Sequence, residues 1–299
     1  HYVGSTASSS QTECSLGAYQ SLAGQSSCDV AESGHYVGSI GQTDQTACSL
    51  GTFQPSSGQS SCDLSNPGYY VASMASTSET PCPARTYNPD FGSTGSSDCR
   101  DSDTGHFAPE EGLANQIPCS PGEYQGLSAQ LSCVQSDPGY FVPSYASVTQ
   151  TPCSPGTYQG SDGQHFCHIS SPGTFVNLAA SISETECTPG TYQPEAGATL
   201  CFDSEAGHFV PNHASTNQTE CSIGTFQPQW GQPSCNIAEP GHYVDSAASI
   251  SQIACLPGTY NPNSGSANPT DCVNASVGHF VDWEGSSTQL TCDLGTFQN

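Results

Sequence analysis

The chain has 299 residues, a formal net charge of −25 and only two basic side chains, Arg85 and Arg100. Without lysine it lacks the cations that phosphate neutralisation needs, so nucleic acid is excluded as a partner and anionic membrane surfaces are disfavoured. Val, Leu, Ile and Phe together supply 44 residues, under the ~20% below which a highly charged chain reads as disordered; 17 cysteines offer the alternative of a fold held by disulfides in place of a large core.

In chain order, the first phrase is "HYVGSTASSSQTEC" at residues 1–14, and it returns as "HYVGSIGQTDQTAC" at 35–48, there preceded by Gly34. The cysteines then fall at 14, 28, 48, 62, 82, 99, 119, 133, 153, 167, 187, 201, 221, 235, 255, 272 and 292. Their spacing alternates 14 and 20, with two gaps of 17 at 82–99 and 255–272. A fixed period of this size marks a tandem array. The repeats run 14–47, 48–81, a long one at 82–118, then 119–152, 153–186, 187–220, 221–254 and a second long one at 255–291. Residues 1–13 and 292–299 are partial repeats. His1 therefore reads as a cut within a longer array.

Within a repeat, Gly51 and Phe53 are echoed 17 residues on by Gly68 and Tyr70, a weaker half-period. Arg85 stands where the first glycine of its unit belongs. The two long units start 173 residues apart, at Cys82 and Cys255, and share "TYNP", "GHF" and a Glu-Gly pair. That is a five-unit rhythm, suited to regular lateral contacts in a fibre or left by duplication. Gly before an aromatic predicts a turn feeding a short strand. The alternation in "AASISETEC", 179–187, predicts a strand across that segment. No helical periodicity extends over three turns. One aromatic ring per half-unit, beside a disulfide, is expected to complete each small core. The fold class is thus small, disulfide-rich and mostly irregular with short β-hairpins, a solenoid-like linear array of 34-residue repeats with no large core.

Two regular pairings fit the cysteines. One joins residues 14 apart and leaves Cys292 over; the other joins residues 20 apart and leaves Cys14 over. Loop entropy separates them by only ~0.3 kcal/mol.

The stretch C-x-x-G-T-[YF]…C, as in Cys48, Gly51, Phe53 and Cys62, resembles the cysteine-rich repeats of ephrin-type receptors. It is also similar to the one-disulfide module of TNF-receptor ectodomains. Ser65 stands where those families usually carry a further cysteine. The resemblance implies the shorter loops: Cys14–Cys28, Cys48–Cys62, Cys82–Cys99, Cys119–Cys133, Cys153–Cys167, Cys187–Cys201, Cys221–Cys235 and Cys255–Cys272, with the partner of Cys292 outside the segment. Repeat type, acidity and Ser/Thr content also resemble the mastigoneme proteins of flagellar hairs.

No catalytic constellation is present: no G-x-S-x-G, no phosphate loop, no free thiol placed beside a histidine. The chain reads as a non-enzyme without cofactors. His165, Cys167 and His168 in "HFCH" come nearest to a metal cluster, but Cys167 lies on the cysteine lattice and is expected to be bridged. Asp101, Asp103 and Gly105 open like a calcium loop, yet His106 and Gly112 occupy the places where an EF-hand needs Gly and Glu. Weak calcium bridging between chains is all that the acidity suggests. His35, His106, His208, His242 and His279 share one place in the unit, where Tyr69, Tyr140 and Thr174 stand elsewhere, which favours a packing or surface role. Asn217-Gln-Thr219 and Asn274-Ala-Ser276 are N-glycosylation acceptors; Asn268 is excluded by Pro269. No apolar run reaches ~18 residues. The expected function is structural: a segment of an extracellular or cell-surface glycosylated filament that assembles with copies of itself, with covalently attached glycans and no membrane insertion. The alternative is the stalk of a receptor or adhesin whose ligand domain lies elsewhere.

Overall fold

The computed structural model describes residues 1–5 and 10–295. Residues 6–9 and 296–299 of the two terminal partial repeats lie outside the described residues. The chain forms two compact units. One holds His1–Ser136, Val142–Thr151 and Gly163–His165; the other holds Asp137–Phe141, Pro152–Asp162 and Phe166–Asn299.

Both units are built from one element, a hairpin of two-residue strands that recurs every half-repeat. In residues 48–64 the strands are Thr52–Phe53 and Asp63–Leu64, with Thr52 opposite Leu64 and Phe53 opposite Asp63. In 65–81 they are Tyr69–Tyr70 and Thr80–Pro81, with Tyr69 opposite Pro81. Strands this short have no independent stability. Their stability comes from a fixed set of four backbone hydrogen bonds between successive half-units. Between 48–64 and 65–81, Ser65 N donates to Gly51 O at 2.9 Å and Gly51 N to Val71 O at 2.9 Å. Gln54 N donates to Ser76 O at 3.0 Å, and Ala75 N to Cys48 O at 2.9 Å. In the second unit the same four run from Ser204 to Gly190, Gly190 to Val210, Gln193 to Ser215 and Ala214 to Cys187, at 2.8–3.0 Å. The structural period is therefore the 17-residue half-unit, and alternate half-units carry the bridge.

The glycine before each aromatic shows why the spacing is strict. Gly51 has φ +79, a left-handed conformation that glycine adopts without steric penalty. A Cβ placed there would overlap the carbonyl oxygen of Gly92, two half-units on. Gly34 meets Ala75, and in the second unit Gly190 meets Gly231, in the same way. Half-units thus touch both their first and second neighbours.

The eight disulfides are Cys14–Cys28, Cys48–Cys62, Cys82–Cys99, Cys119–Cys133, Cys153–Cys167, Cys187–Cys201, Cys221–Cys235 and Cys255–Cys272. Their Cα–Cα separations are 5.6–5.8 Å. Cys292 is unbridged and partly buried. In the long units the three extra residues fold into 3₁₀ turns, Ser96–Asp98 and Pro269–Asp271. There Asp98 accepts from the amides of Thr94 and Gly95, and Asp271 from those of Ala267 and Asn268. The insertion is closed locally and leaves the interlocking bonds unchanged: Arg85 N still donates to Ala108 O at 2.8 Å.

Two expectations are corrected. The strand expected over 179–187 is only Thr185–Glu186. Ala180, at φ +56, turns left-handed inside the segment, and its amide donates to Cys153 O of the preceding half-unit; alternation of side chains there reflects a turn. The aromatic rings also do not form the core. Phe53, Tyr70 and Phe226 are only half-buried. The buried side chains are smaller: Cys48, Cys82 and Cys221 in bridged half-units, and Val71, Val142 and Val210 with Ser65, Ser136 and Ser204 in unbridged ones. A two-residue strand lacks the width to cover a ring on both sides.

Candidate functional surface

Each half-unit is closed in one of two ways. In a bridged half-unit the first residue and the fifteenth are the paired cysteines, as Cys48 and Cys62. In an unbridged half-unit the first residue is Ser or Ala and the fifteenth is Gln or Glu. The Ser hydroxyl does not stand idle. Ser65 Oγ donates to Ser93 O at 3.3 Å, and Ser136 Oγ donates to Gln164 O and accepts from Gln164 N at 2.9 Å.

The Gln or Glu acts as a side-chain staple. Its oxygen accepts the amide hydrogen of the second residue of the half-unit: Glu32 N to Gln45, Asn66 N to Glu79, Asp103 N to Gln116, Ser171 N to Glu184, Glu205 N to Gln218, Glu239 N to Gln252 and Ser276 N to Gln289, all at 2.6–2.7 Å. A reciprocal bond completes it, and the polarity is matched each time. Where the staple is Gln, its amide donates to Glu32, Asp103, Glu205, Glu239 or the Ser276 hydroxyl. Where it is Glu, it accepts from Asn66 Nδ2 or Thr174 Oγ1. No stapled pair among these seven sets two carboxylates against each other, as like charges would repel. The sequence carries this signal at a spacing of 13 residues, but it escapes notice because Gln and Glu are common on polar surfaces.

A second alternation sits seven places into the half-unit. Bridged half-units place Gln there, and its amide donates across the loop: Gln54 to Ser61 O at 3.0 Å, Gln193 to Leu200 O at 2.8 Å. Unbridged ones place Val71, Val142 or Val210. The long units substitute Asn88 and Asn261, which bond the shorter distance to the hydroxyls of Ser93 and Ser266 at 2.8 and 2.7 Å. They also donate to the backbone of the preceding half-unit, at Tyr69 O and His242 O.

The other singled-out residues take local places. Asp103 is committed to the Gln116 staple, and Asp101 lies on an exposed strand, Arg100–Asp101, so they do not converge as a calcium loop. Cys167 is bridged to Cys153, while His168 packs its ring 5.0 Å from Phe166 and 5.7 Å from Tyr158. His35, His106, His208, His242 and His279 each hold Nδ1 3.3–3.4 Å from the carbonyl two residues back. Thr174, in the same place, shares its one hydroxyl hydrogen between Ser171 O at 2.7 Å and the Glu184 staple at 2.9 Å; the site is a polar cover for the turn. Asn217 is exposed on a loop, and Asn274 is exposed on the strand Val273–Asn274. Burial, followed by the carboxylates of Glu32, Asp29 and Asp44, holds the Tyr19 phenol above its ordinary range.

Shallow hollows recur beside the bridges. Tyr36, Thr46, Ser49, Thr52, Ser61 and Cys62 line one of about 370 Å³. Tyr2 with Cys28, and Tyr243 with Cys272, line its counterparts in equivalent half-units. Among the described residues no group of three or more His, Cys, Asp and Glu side chains is placed to hold a metal ion, and no helix is long and apolar enough to cross a membrane. Searches of protein-family models and of curated proteins found no match to the chain.

Proposed function

We propose that the chain is a structural segment of an extracellular, glycosylated filament or cell-surface hair, assembling with copies of itself. One observation carries this: the same half-unit, with the same four interlocking backbone bonds, recurs throughout each unit. A surface so repetitive offers an identical contact at every step, which suits assembly more than recognition of a single ligand. Eight bridges support a location in an oxidising compartment. The likeness to ephrin-type and TNF-receptor-type repeats, and to mastigoneme proteins, belongs to the same proposal, with Ser65 and its hydroxyl bond in place of a family cysteine. The proposal assigns the chain no catalytic role. Glycans are placed on Asn217 and Asn274, whose side chains are exposed, and calcium bridging between chains is a weak accompaniment.

Negative-stain microscopy of native material tests the reading. Fibres of uniform width are expected, loosened or unchanged by EDTA according to whether calcium joins the chains. Single molecules anchored at cells would overturn it in favour of a receptor or adhesin stalk. An N-glycosidase that leaves the mass unchanged would remove the glycan assignment.

A further inference from the structure

We propose that the chain is an extensible load-bearing element that lengthens under tension in equal steps and is stopped by its bridges. The proposal rests on the fold alone and holds for a filament or a stalk.

Every bridge joins consecutive cysteines, 14 or 17 residues apart in sequence and 5.6–5.8 Å apart at Cα. Tension passing along the chain crosses at the sulfurs and bypasses the loop between them. The load path is therefore the stretch from the second cysteine of one bridge to the first of the next: 28–48, 62–82, 99–119, 133–153, 167–187, 201–221 and 235–255. Each spans 20 residues. The insertions of the long units fall inside the bypassed loops, at Ser96–Asp98 and Pro269–Asp271. Length thus varies only where no load is carried, and the stretch that carries it is constant.

Each load-bearing stretch contains one unbridged half-unit, held without any covalent tie. In 62–82 the holding groups are the two-residue strands, the Glu79 staple on the amide of Asn66, the Ser65 hydroxyl and the buried Val71. These yield by exchange with water, whereas a disulfide does not. A stretch of 20 residues drawn straight spans at most ~70 Å. Beyond that the bridges Cys48–Cys62 and Cys82–Cys99 take the load, so the half-units they close stay tied.

Single-molecule force–extension of the oxidised 299-residue chain, held at its ends, tests this. The trace is expected to show repeated steps of one size, each releasing about 20 residues, or ~70 Å of extended chain less the folded span. With a reductant in the cell each step should grow about 1.7-fold, to a full repeat. A single rupture of the whole chain, or steps indifferent to reductant, would overturn the proposal. The pair Ser65→Cys and Glu79→Cys occupies the places of Cys48 and Cys62. Once its bridge is verified by mass, this variant should lose one step and keep the others; a full set of steps would count against the proposal. Microscopy of assemblies is blind to these steps, so the filament reading and this one fail separately.

Discussion

At the scale of single residues, the left-handed positions decide which substitutions the array tolerates. Gly51 and Gly190 have no room for a Cβ against Gly92 and Gly231, so Gly51→Ala should cost about 2–5 kcal/mol from strain and overlap, measured as a fall in the urea midpoint. Arg85 occupies the same place at φ +79 and keeps its backbone bonds to Ala108 and Ser102. A residue with a side chain is disfavoured in that conformation by about 1–2 kcal/mol. Arg85→Gly should therefore stabilise the chain by about 1 kcal/mol after allowing for the looser unfolded state, visible as a rise in Tm. The sequence marks Arg85 as a departure by comparison with its sister units. Only the backbone shows that the departure sits in a left-handed turn. Among the described residues, alanines such as Ala75 and Ala180 also turn left-handed, in the place where sister half-units carry Gly41 and Gly197; alanine ordinarily avoids that region, so only the comparison with those glycines marks the turn.

At the scale of the element, bridge and staple perform one task with unequal strength. Removing a bridge with Cys48→Ser and Cys62→Ser should cost about 2–4 kcal/mol. Glu79→Ala, which frees the amide of Asn66, should cost about 1 kcal/mol; equal losses in denaturant titrations would refute this ranking. The pairing itself has a direct chemical readout. Trypsin can cut after Arg85 and Arg100 alone. With Cys82–Cys99 formed, an unreduced digest of the unfolded chain keeps 86–100 attached to 1–85. Were Cys99 joined to Cys119, the same peptide would travel with 101–299, and mass spectrometry tells the two apart. The repeat length, the half-period and the short hairpins were readable from cysteine and glycine spacing, because a bridge and a left-handed turn each demand a particular residue type. The staple was not, since a hydrogen-bond acceptor at that place can be Gln or Glu and both are ordinary on an exposed surface. The aromatic rings misled for a related reason: a large apolar side chain suggests a core, yet two-residue strands leave Phe53 and Tyr70 half-covered and bury Val71 instead.

At the scale of the whole molecule, each unit is a sum of near-identical neighbours, and stability in such arrays is local. Hydrogen exchange should accordingly show graded protection, highest for interlocking amides such as Gly51 and Gly190 that lie well within their units and lower near Cys292; uniform protection of all these amides would indicate one cooperative block instead. The pairing of consecutive cysteines carries one more consequence, for biosynthesis. Seventeen cysteines in near-identical surroundings offer an enormous number of wrong connections to a chain refolding from the fully reduced state. A chain that emerges N-terminus first meets almost none of them: each hairpin closes as soon as its second cysteine appears, while later cysteines are still unmade. Order of synthesis thereby selects the bonding pattern. A cysteine that failed to react in time would leave the next to pair in its place, and the short separation within each hairpin, 14 or 17 residues, keeps that interval brief.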